Sequence, residues 1–256
     1  MSIIRPRTVI DRSYDTKELK FMIFAVILAG GTGSRMGSTD MPKQFLEIKG
    51  KPILNHTIEK FLPNPRFEKI IVLSPRAWLG HTREIIRKFT GKNDRIAVIE
   101  GGATRNETIM NSIKYIEKEY GLDDETVIVT HDSVRPFLTH RIIEENIEAA
   151  LRYGACDTVI PATDTIVEGD GMTISAIPDR RKMYQGQTPQ SFKAKLLRDT
   201  YESLSDDEKN ILTDAAKILV MKGMDVRLVQ GETFNIKITY PYDLKIARSL
   251  LDEETE

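Results

Sequence analysis

The sequence predicts an α/β fold: a doubly wound, mostly parallel, Rossmann-like sheet with a projecting β-arm. Short apolar runs alternate with segments of helical periodicity, which is typical of parallel strands joined by crossover helices. The first apolar run ends directly in a glycine-rich loop. The alternation breaks between about residues 157 and 190, where two strand-like halves follow each other without a helix between them.

The first half of the chain contains most of the predicted sheet. A continuous apolar run at residues 24–28 predicts a buried strand, and further strand candidates lie at residues 69–73, 96–99, 126–130 and 158–160. Two helices between these strands have one apolar face and end at a glycine, which readily terminates a helix. Their apolar residues are Ile109, Ile113, Ile116 and Tyr120 before Gly121, and Ile143, Ile147 and Ala150 before Gly154.

The β-arm is predicted at about residues 160–186. Residues 163–168 and 172–177 flank the turn Gly169-Asp170-Gly171, as in a hairpin. Such arms often pack against a second subunit, so we expect a homodimer. Beyond the arm we predict a helix with Ile211, Ala215 and Ile218 on one face, late strands at residues 226–229 and 235–239, and a last helix that begins at Pro241.

Length and composition limit the possible functions. The 256 residues suffice for one domain over residues 22–256, preceded by a loosely ordered extension over residues 1–21. The 37 basic and 38 acidic side chains leave a net charge of -1, which argues against a general nucleic-acid or membrane-surface binder. No apolar run approaches the ~20 residues of a membrane span, and no signal peptide is apparent. The single cysteine, Cys156, favours a reducing compartment, so we expect a cytoplasmic protein.

The glycine loop over residues 28–37 is a candidate phosphate site. Glycines let backbone N–H groups approach phosphates, and Arg35 and Lys43 add positive charge on the same side. The P-loop pattern fails because no Lys-Ser/Thr pair follows the second glycine. The dinucleotide fingerprint fails because Met36 takes the place of its last glycine. On its own, the loop is equally consistent with an ordinary glycine turn.

A second candidate lies at the end of the strand predicted at residues 126–130. Asp132 occupies the carboxyl edge, where open α/β sheets bind ligands. A carboxylate there can hold Mg²⁺ against nucleotide phosphates, and Arg135 can orient it or meet an anion. Taken in isolation, these residues would more readily form a surface turn with an Asp–Arg pair. We assign no catalytic role to His131.

Two polar segments complete the set. In a strand over residues 235–239, Lys237 would project from the polar face. A solvated lysine on an edge strand explains that pattern at least as well. Arg180, together with residues 187–190, offers a cation and small polar donors to a phosphorylated substrate, and a polar loop is the simpler interpretation.

In combination, these motifs resemble the cytidylyltransferase family that includes the 2-C-methyl-D-erythritol 4-phosphate and ribitol 5-phosphate enzymes. The resemblance covers roughly residues 22–251 and rests on residues 29–36, 42–44, 131–136, 188–190 and 235–239, with Asp243-Leu244. It implies a nucleotidyltransferase that uses CTP, a sugar-alcohol phosphate and Mg²⁺ and releases pyrophosphate. The acceptor phosphate is itself an anionic nucleophile, so charge neutralisation and positioning are the main requirements.

The resemblance also implies roles for individual residues. Arg35, Lys43 and Lys237 match the catalytic cations, and Asp132 matches the Mg²⁺ ligand with Arg135 as its support. The nucleotide pocket matches Ala29, Gly30, Gly31, Gly33, Gly102, Ala103 and Thr108. Arg135, Thr165, Arg180 and Thr188 match substrate-binding positions, with Thr165 and Arg180 supplied by the arm of a partner subunit.

We expect D-ribitol 5-phosphate as the acceptor, with 2-C-methyl-D-erythritol 4-phosphate as the alternative. Val134 and residues 183–187 depart from the methylerythritol branch. Tyr184, Gln185 and Gln187 offer hydrogen-bonding groups to an unbranched polyol. CDP-ribitol would then be the product, which the resemblance links to ribitol-phosphate polymers such as wall teichoic acid.

Two other classes of function stay open on the residues alone. An NAD-dependent oxidoreductase is weakened by the failed fingerprint, and a fluorescence titration with the cofactor would test it. A nucleotide-sensing module would bind CTP without releasing pyrophosphate, so a pyrophosphate assay separates it from the enzyme.

Overall fold

The structure of the protein is a computed structural model that describes residues 21–31 and 41–253. The predicted extension therefore lies almost entirely outside the described residues, as do Gly33 and Arg35 of the glycine loop. The described strands are β1 (Ile23–Leu28), β2 (Glu47–Ile48), β3 (Lys51–Pro52), β4 (Phe67–Ser74), β5 (Ile96–Glu100), β6 (Val127–Asp132), β7 (Ala155–Pro161), β8 (Glu168–Gly169), β9 (Ile174–Ala176), β10 (Tyr184–Lys193) and β11 (Arg227–Gln230). The described helices are α1 (Ile53–Phe61), α2 (Leu79–Thr90), α3 (Arg105–Tyr120), α4 (His140–Tyr153), α5 (Ala194–Glu202), α6 (Asp206–Asn210), α7 (Ala216–Val220) and α8 (Pro241–Glu253).

In the described part of the chain, a seven-stranded sheet has the order β11-β7-β10-β6-β1-β4-β5. β1 pairs in parallel with β4 and β6, and β10 runs antiparallel to both β6 and β7. The predicted doubly wound, mostly parallel sheet is confirmed.

The core covers both faces of this sheet. All six residues of β1 are buried, and successive side chains enter opposite faces. Ala25 and Ile27 pack with residues of α1, α2 and α4. Phe24 and Val26 pack with residues of α3, α5 and α7. Burial on both faces explains why this strand is apolar without alternation.

The helix ends follow from local sequence. Thr104 and Glu107 form a capping box, so α3 begins at Arg105. Gly121 and Gly154 follow α3 and α4 with φ of 82° and 87°, a conformation that favours glycine. None of the described helices is long and apolar enough to cross a membrane.

Three predicted elements require correction. Residues 184–193 form the central strand β10, whereas residues 187–190 had the pattern of a polar loop. The buried side chains of this strand include polar ones, which form hydrogen bonds with surrounding residues. The strand therefore lacks the apolar run by which a buried strand is recognised. The helix predicted through Ile211 is divided into α6 and α7, because Asp214 Oδ1 accepts a hydrogen bond from the N–H of Ala216 at the start of α7. Ile211 is exposed between them.

The third correction concerns residues 235–239, which do not form a strand in the described structure. Ile238 donates its N–H to the carbonyl of Val134, and the Asn235 carbonyl accepts from Arg135. The backbone of this segment therefore bonds to the turn after β6 and does not pair with a neighbouring strand.

The β-arm contains the short antiparallel pair β8 and β9. Its apolar side chains Val167, Met172, Ile174 and Ile177 are exposed, Met172 at 95%. The predicted hairpin is present, but its paired strands are shorter than expected.

Candidate functional site

A cleft of about 330 Å³ opens at the carboxyl edge of the sheet. Its walls come from the loop after β1, the turn at Lys43, the segment leading into α3, the turn after β6, and the segment before α8. The lining residues are Leu28, Gly30, Gly31, Lys43, Gln44, Gly102, Ala103, Thr104, Arg105, Thr108, Asp132, Ser133, Val134, Lys237 and Thr239. Open α/β sheets bind ligands at this edge.

The segment leading into α3 folds tightly onto the first turn of that helix. Gly102 donates its N–H to Thr108 Oγ1 at 2.9 Å, and Ala103 donates to Glu107 Oε2 at 2.8 Å. A Cβ on Gly102 would overlap the side chain of Glu107 and lie 2.8 Å from the nitrogen of Thr108. Glycine is therefore required at position 102, and it brings Gly102, Ala103 and Thr108 to one wall of the cleft.

The opposite wall is attached to the end of β1. Gln44 Nε2 donates to the carbonyl of Ala29 at 2.7 Å, which holds the buried turn Lys43–Phe45 against the strand. Ala29 itself is fully buried, and its N–H donates to Leu73. Gly30, Gly31 and Lys43 thus line the cleft, whereas the backbone groups of Ala29 are already bonded beneath it.

Among the described residues, three cations surround the buried carboxylate of Asp132. Lys237 Nζ lies 2.9 Å from Oδ2, Arg135 Nε lies 3.6 Å from Oδ2, and Arg105 pairs with Oδ1. Burial opposes ionisation of this carboxyl, but the charges of Arg105, Lys237 and Arg135 hold its pKa well below the usual range. The floor of the cleft is therefore positively charged even with Asp132 ionised.

The position of Lys237 depends on its neighbours. Ile238 is fully buried with Val134 and Ile48, and the Asn235 side chain donates to the carbonyl of Thr188 at 2.9 Å. These contacts fix the chain on both sides of Lys237, so its amine reaches Asp132 although no strand is formed.

Sequence reasoning missed Arg105, which lines the cleft beside Asp132. Its Nη2 lies 3.4 Å from Gln190 Oε1, and Gln190 Nε2 lies 2.8 Å from each carboxylate oxygen of Asp214. The sequence did contain a signal for Arg105: it is a basic residue at the first position of α3, shortly after the pair Gly101-Gly102.

Asp157 was also missed. It lies on β7 opposite Gln190, and within the described residues its Oδ1 atom is buried without a hydrogen-bond partner. Burial, reinforced by the charge of Asp214, raises the pKa of Asp157 to about 7. A charged residue inside the apolar run of residues 155–160 was its signal.

Thr188 and His131 lie beneath the turn that bears Asp132. Thr188 is buried, and its Oγ1 atom accepts from the N–H of Asp132 at 3.2 Å. His131 is fully buried, and burial lowers its pKa to about 4, so the ring is neutral near pH 7.

The two arm residues assigned to the acceptor do not line the cleft. Thr165 and Arg180 are both exposed, and Arg180 Nη1 donates to the carbonyl of Thr163 at 2.7 Å. Their proposed role therefore needs a second subunit.

Gln187 was expected to offer a hydrogen-bonding group to the polyol acceptor, and the structure does not support this. Its Nε2 donates to the Glu232 carbonyl at 2.8 Å, and its Oε1 accepts from Asn235 at 3.1 Å. The side chain is buried and bonded within the protein, so it is not an open group for a polyol. Tyr184 and Gln185 are exposed at the start of β10.

The carboxylate of Asp132 suits a metal that arrives with its own oxygen ligands. In the described ranges, no three His, Cys, Asp or Glu side chains converge on a common metal position. Mg²⁺ commonly takes one or two protein carboxylates together with substrate phosphates. The residues present thus fit a metal–nucleotide complex rather than an all-protein metal site.

The chain is similar to known proteins over most of its length. The family model described as IspD, 2-C-methyl-D-erythritol 4-phosphate cytidylyltransferase, matches residues 23–253. A 4-diphosphocytidyl-2C-methyl-D-erythritol synthase from Anaerococcus prevotii is 27% identical, with a TM-score of 0.74 over 91% of this chain and 97% of that one. The 2-C-methyl-D-erythritol 4-phosphate cytidylyltransferase of Francisella tularensis is also 27% identical, with a TM-score of 0.74 over 89% and 99%. That of Thermus thermophilus is 26% identical, with a TM-score of 0.67 over 90% and 98%.

Proposed function

The chain belongs to the 2-C-methyl-D-erythritol 4-phosphate cytidylyltransferase family of CTP-dependent nucleotidyltransferases, and from this premise we propose which acceptor it uses and how its residues act. The acceptor is the phosphate of an acyclic sugar alcohol, and we place D-ribitol 5-phosphate first. The convergence of Lys43, Asp132 and Lys237 in one cleft with two glycine segments supports the proposed site.

In this proposal, an oxygen of the acceptor phosphate attacks the α-phosphorus of CTP. A new P–O bond forms while the bond to the β-phosphate breaks, and pyrophosphate leaves with the electron pair. Two anions must approach each other, so the protein's task is to hold them in line and offset their charge. Lys43 and Lys237, which both line the cleft, supply positive charge, and Arg35 is the third cation proposed. Gly30, Gly31, Gly102, Ala103 and Thr108 hold the nucleotide, and Gly33 is proposed with them.

Mg²⁺ is the proposed cofactor, and Asp132 is the residue that would hold it. When bound, the ion would offset negative charge on the phosphates of CTP. Arg135 supports Asp132 from below the cleft, where it also donates to the carbonyl of Asn235 at 2.8 Å.

The choice of ribitol rests on the polar character of the region beside Asp132. Arg135, Asp157, Gln190 and Asp214 lie near Asp132 without lining the cleft, and Gln190 is bonded to Asp214. Within the described residues, Oδ1 of Asp157 is buried without a hydrogen-bond partner. A polyol with a hydroxyl on every remaining carbon suits such a surface, whereas a methyl branch needs an apolar recess. CDP-ribitol would be the product, a donor for ribitol-phosphate polymers. The cytoplasmic location predicted from the cysteine content stays a prediction.

The second candidate acceptor is 2-C-methyl-D-erythritol 4-phosphate. The names of the family and of its solved relatives favour it over ribitol 5-phosphate. The product would then serve isoprenoid synthesis. At 27% identity, the residues that bind phosphate can be shared while those that contact the carbon chain differ.

We further propose that the arm completes the site of a second subunit in a homodimer. Thr165 and Arg180 lie on the arm, outside the cleft of their own chain. The exposed apolar side chains of the arm, Val167, Met172, Ile174 and Ile177, provide a surface that a partner would cover.

A coupled pyrophosphate assay tests the function and the acceptor together. CTP, ATP, GTP and UTP are each supplied with either acceptor, and kcat/KM is compared. We expect turnover with CTP and at least tenfold higher kcat/KM for ribitol 5-phosphate. A preference for the methylerythritol compound would establish the second candidate, and CTP binding without pyrophosphate release would contradict both.

A further inference from the structure

We propose that His131 is a positioning residue: it commits the hydroxyl proton of Thr188 and thereby holds the turn that carries Asp132 and Arg135. This inference rests on the proposed function for its catalytic consequence. The hydrogen-bond directions on which it depends can be tested independently of any activity.

The geometry is a chain of three hydrogen bonds below the cleft. His131 Nε2 lies 3.0 Å from the carbonyl oxygen of Arg135, and Nδ1 lies 2.9 Å from Thr188 Oγ1. The N–H of Asp132 lies at the other end of the chain and donates to the same Thr188 oxygen at 3.2 Å. His131 is fully buried, and its ring packs 5.4 Å from the ring of Phe61.

The chemistry of the partners assigns each proton. A carbonyl oxygen can only accept, so Nε2 must carry the hydrogen that is donated to Arg135. In a neutral ring Nδ1 is then an acceptor. Thr188 has one hydroxyl hydrogen, and it must therefore point at Nδ1, while Asp132 donates to the same oxygen. Thr188 can offer a ligand only a lone pair.

The consequence lies in the turn after β6. The N–H of Arg135 donates to the carbonyl of Asp132 at 3.1 Å, so the two residues are already linked within the turn. His131 joins this turn to β10 through Thr188, on the antiparallel partner of β6. Removing the imidazole leaves the hydroxyl hydrogen of Thr188 and the carbonyl of Arg135 without their partners, and the turn can relax. Asp132 and Arg135 would then lose their alignment, although neither of these two residues has itself been mutated.

The test compares His131→Phe with His140→Phe, which makes the same substitution at an exposed histidine. Phenylalanine keeps a ring against Phe61 and removes both hydrogen bonds. We expect His131→Phe to lower kcat per folded protein by about 10- to 100-fold, the usual effect of losing an orienting partner, with KM for CTP within about threefold. His140→Phe should match the wild type. An unchanged kcat for His131→Phe would overturn the proposal.

A double-mutant cycle separates positioning from general loss of structure. If His131 acts through Thr188, the Thr188→Val change should add less than about threefold to the loss caused by His131→Phe. Multiplicative losses would contradict the proposed coupling.

Histidine ¹⁵N spectra of the wild-type protein test the geometry without an assay. The chain has 4 histidines, and the signal lost in His131→Phe assigns the relevant one. If that variant does not fold, His56→Gln, His81→Gln and His140→Gln assign the remaining signal by elimination. A hydrogen on Nε2 and a bare Nδ1 support the proposal, and the opposite tautomer overturns it. A protein inactive with every nucleotide but with the expected tautomer would refute the proposed function alone.

Discussion

The amine of Lys237 lies 2.9 Å from Oδ2 of Asp132, although Asp132 ends β6 and Lys237 precedes α8. Arg105, at the start of α3, pairs with the other oxygen of the same carboxylate. The carboxylate therefore joins three distant segments of the chain at the floor of the cleft. Loss of its charge would leave neighbouring cations unpaired, which connects the chemistry of this site with its stability.

We expect Asp132→Asn to weaken the Mg²⁺ dependence of CTP turnover and to destabilise the fold. The amide keeps the shape of the side chain but cannot neutralise Arg105, Arg135 and Lys237, and breaking a buried ion pair costs about 3–5 kcal/mol. A Mg²⁺ titration and a denaturant melt measure the two effects. Asp206→Asn, at an exposed position on α6, is the control. An unchanged Mg²⁺ midpoint would remove Asp132 from the proposed metal site.

Lys43→Ala and Lys237→Ala should each lower kcat by roughly 10²- to 10³-fold, the usual effect of removing one transition-state donor. Both lysines line the cleft but come from different segments of the chain, and in our proposal each contacts the reacting phosphates. Lys245→Ala on the exposed side of α8 serves as the matched control. Near-normal turnover of either cleft variant, measured by pyrophosphate release, would mean that the lysine does not take part.

Mixed dimers test the role of the arm. Arg180→Ala and Lys43→Ala should both be inactive alone, because each site needs Lys43 from one chain and Arg180 from the other. After subunit exchange, a mixed dimer has one site free of both changes, so about a quarter of wild-type activity should return in an equal mixture, by the symmetry of a two-fold dimer. Light scattering establishes the dimer first. A monomer, or no recovery after confirmed exchange, argues against the shared site.

Asp157 should make stability depend on pH. Its pKa of about 7 in the folded protein exceeds the unfolded value, so the native state keeps a proton that the unfolded chain releases between about pH 4 and pH 7. The contribution of Asp157 to the stability of the folded protein therefore falls as pH rises through that window and is constant above it. The charges that face Asp157 are those of Asp214, Arg105 and Arg135.

Asp157→Asn removes this titration. As the pH is raised from 5 to 8, the free energy of unfolding of the variant should therefore increase relative to that of the wild type by on the order of 1–3 kcal/mol. Urea unfolding of both proteins at the two pH values measures the difference, and titrations common to both cancel. A difference that does not change with pH would show that Asp157 is already ionised at pH 5.

Much of the fold could be predicted because its signals are local. The apolar run at β1 and the glycines after α3 and α4 report burial and helix ends within a few residues. β10 was not recognisable in this way, because Gln187, Thr188, Gln190 and Ser191 are buried polar residues whose partners lie on distant segments of the chain. Residues 235–239 have the alternation of a strand, yet they bond to a turn instead.

The sequence by itself determined the strand–helix order of the first half of the chain, the carboxyl-edge position of Asp132 and the glycine segments of the cleft, because these depend on short-range periodicity and backbone freedom. Only the tertiary structure decided that Arg105 pairs with Asp132, that Gln187 is bonded internally, and that His131 holds Thr188. The physical reason is burial: a charge or amide removed from water must find a partner, and that partner comes from whichever segment the fold brings alongside.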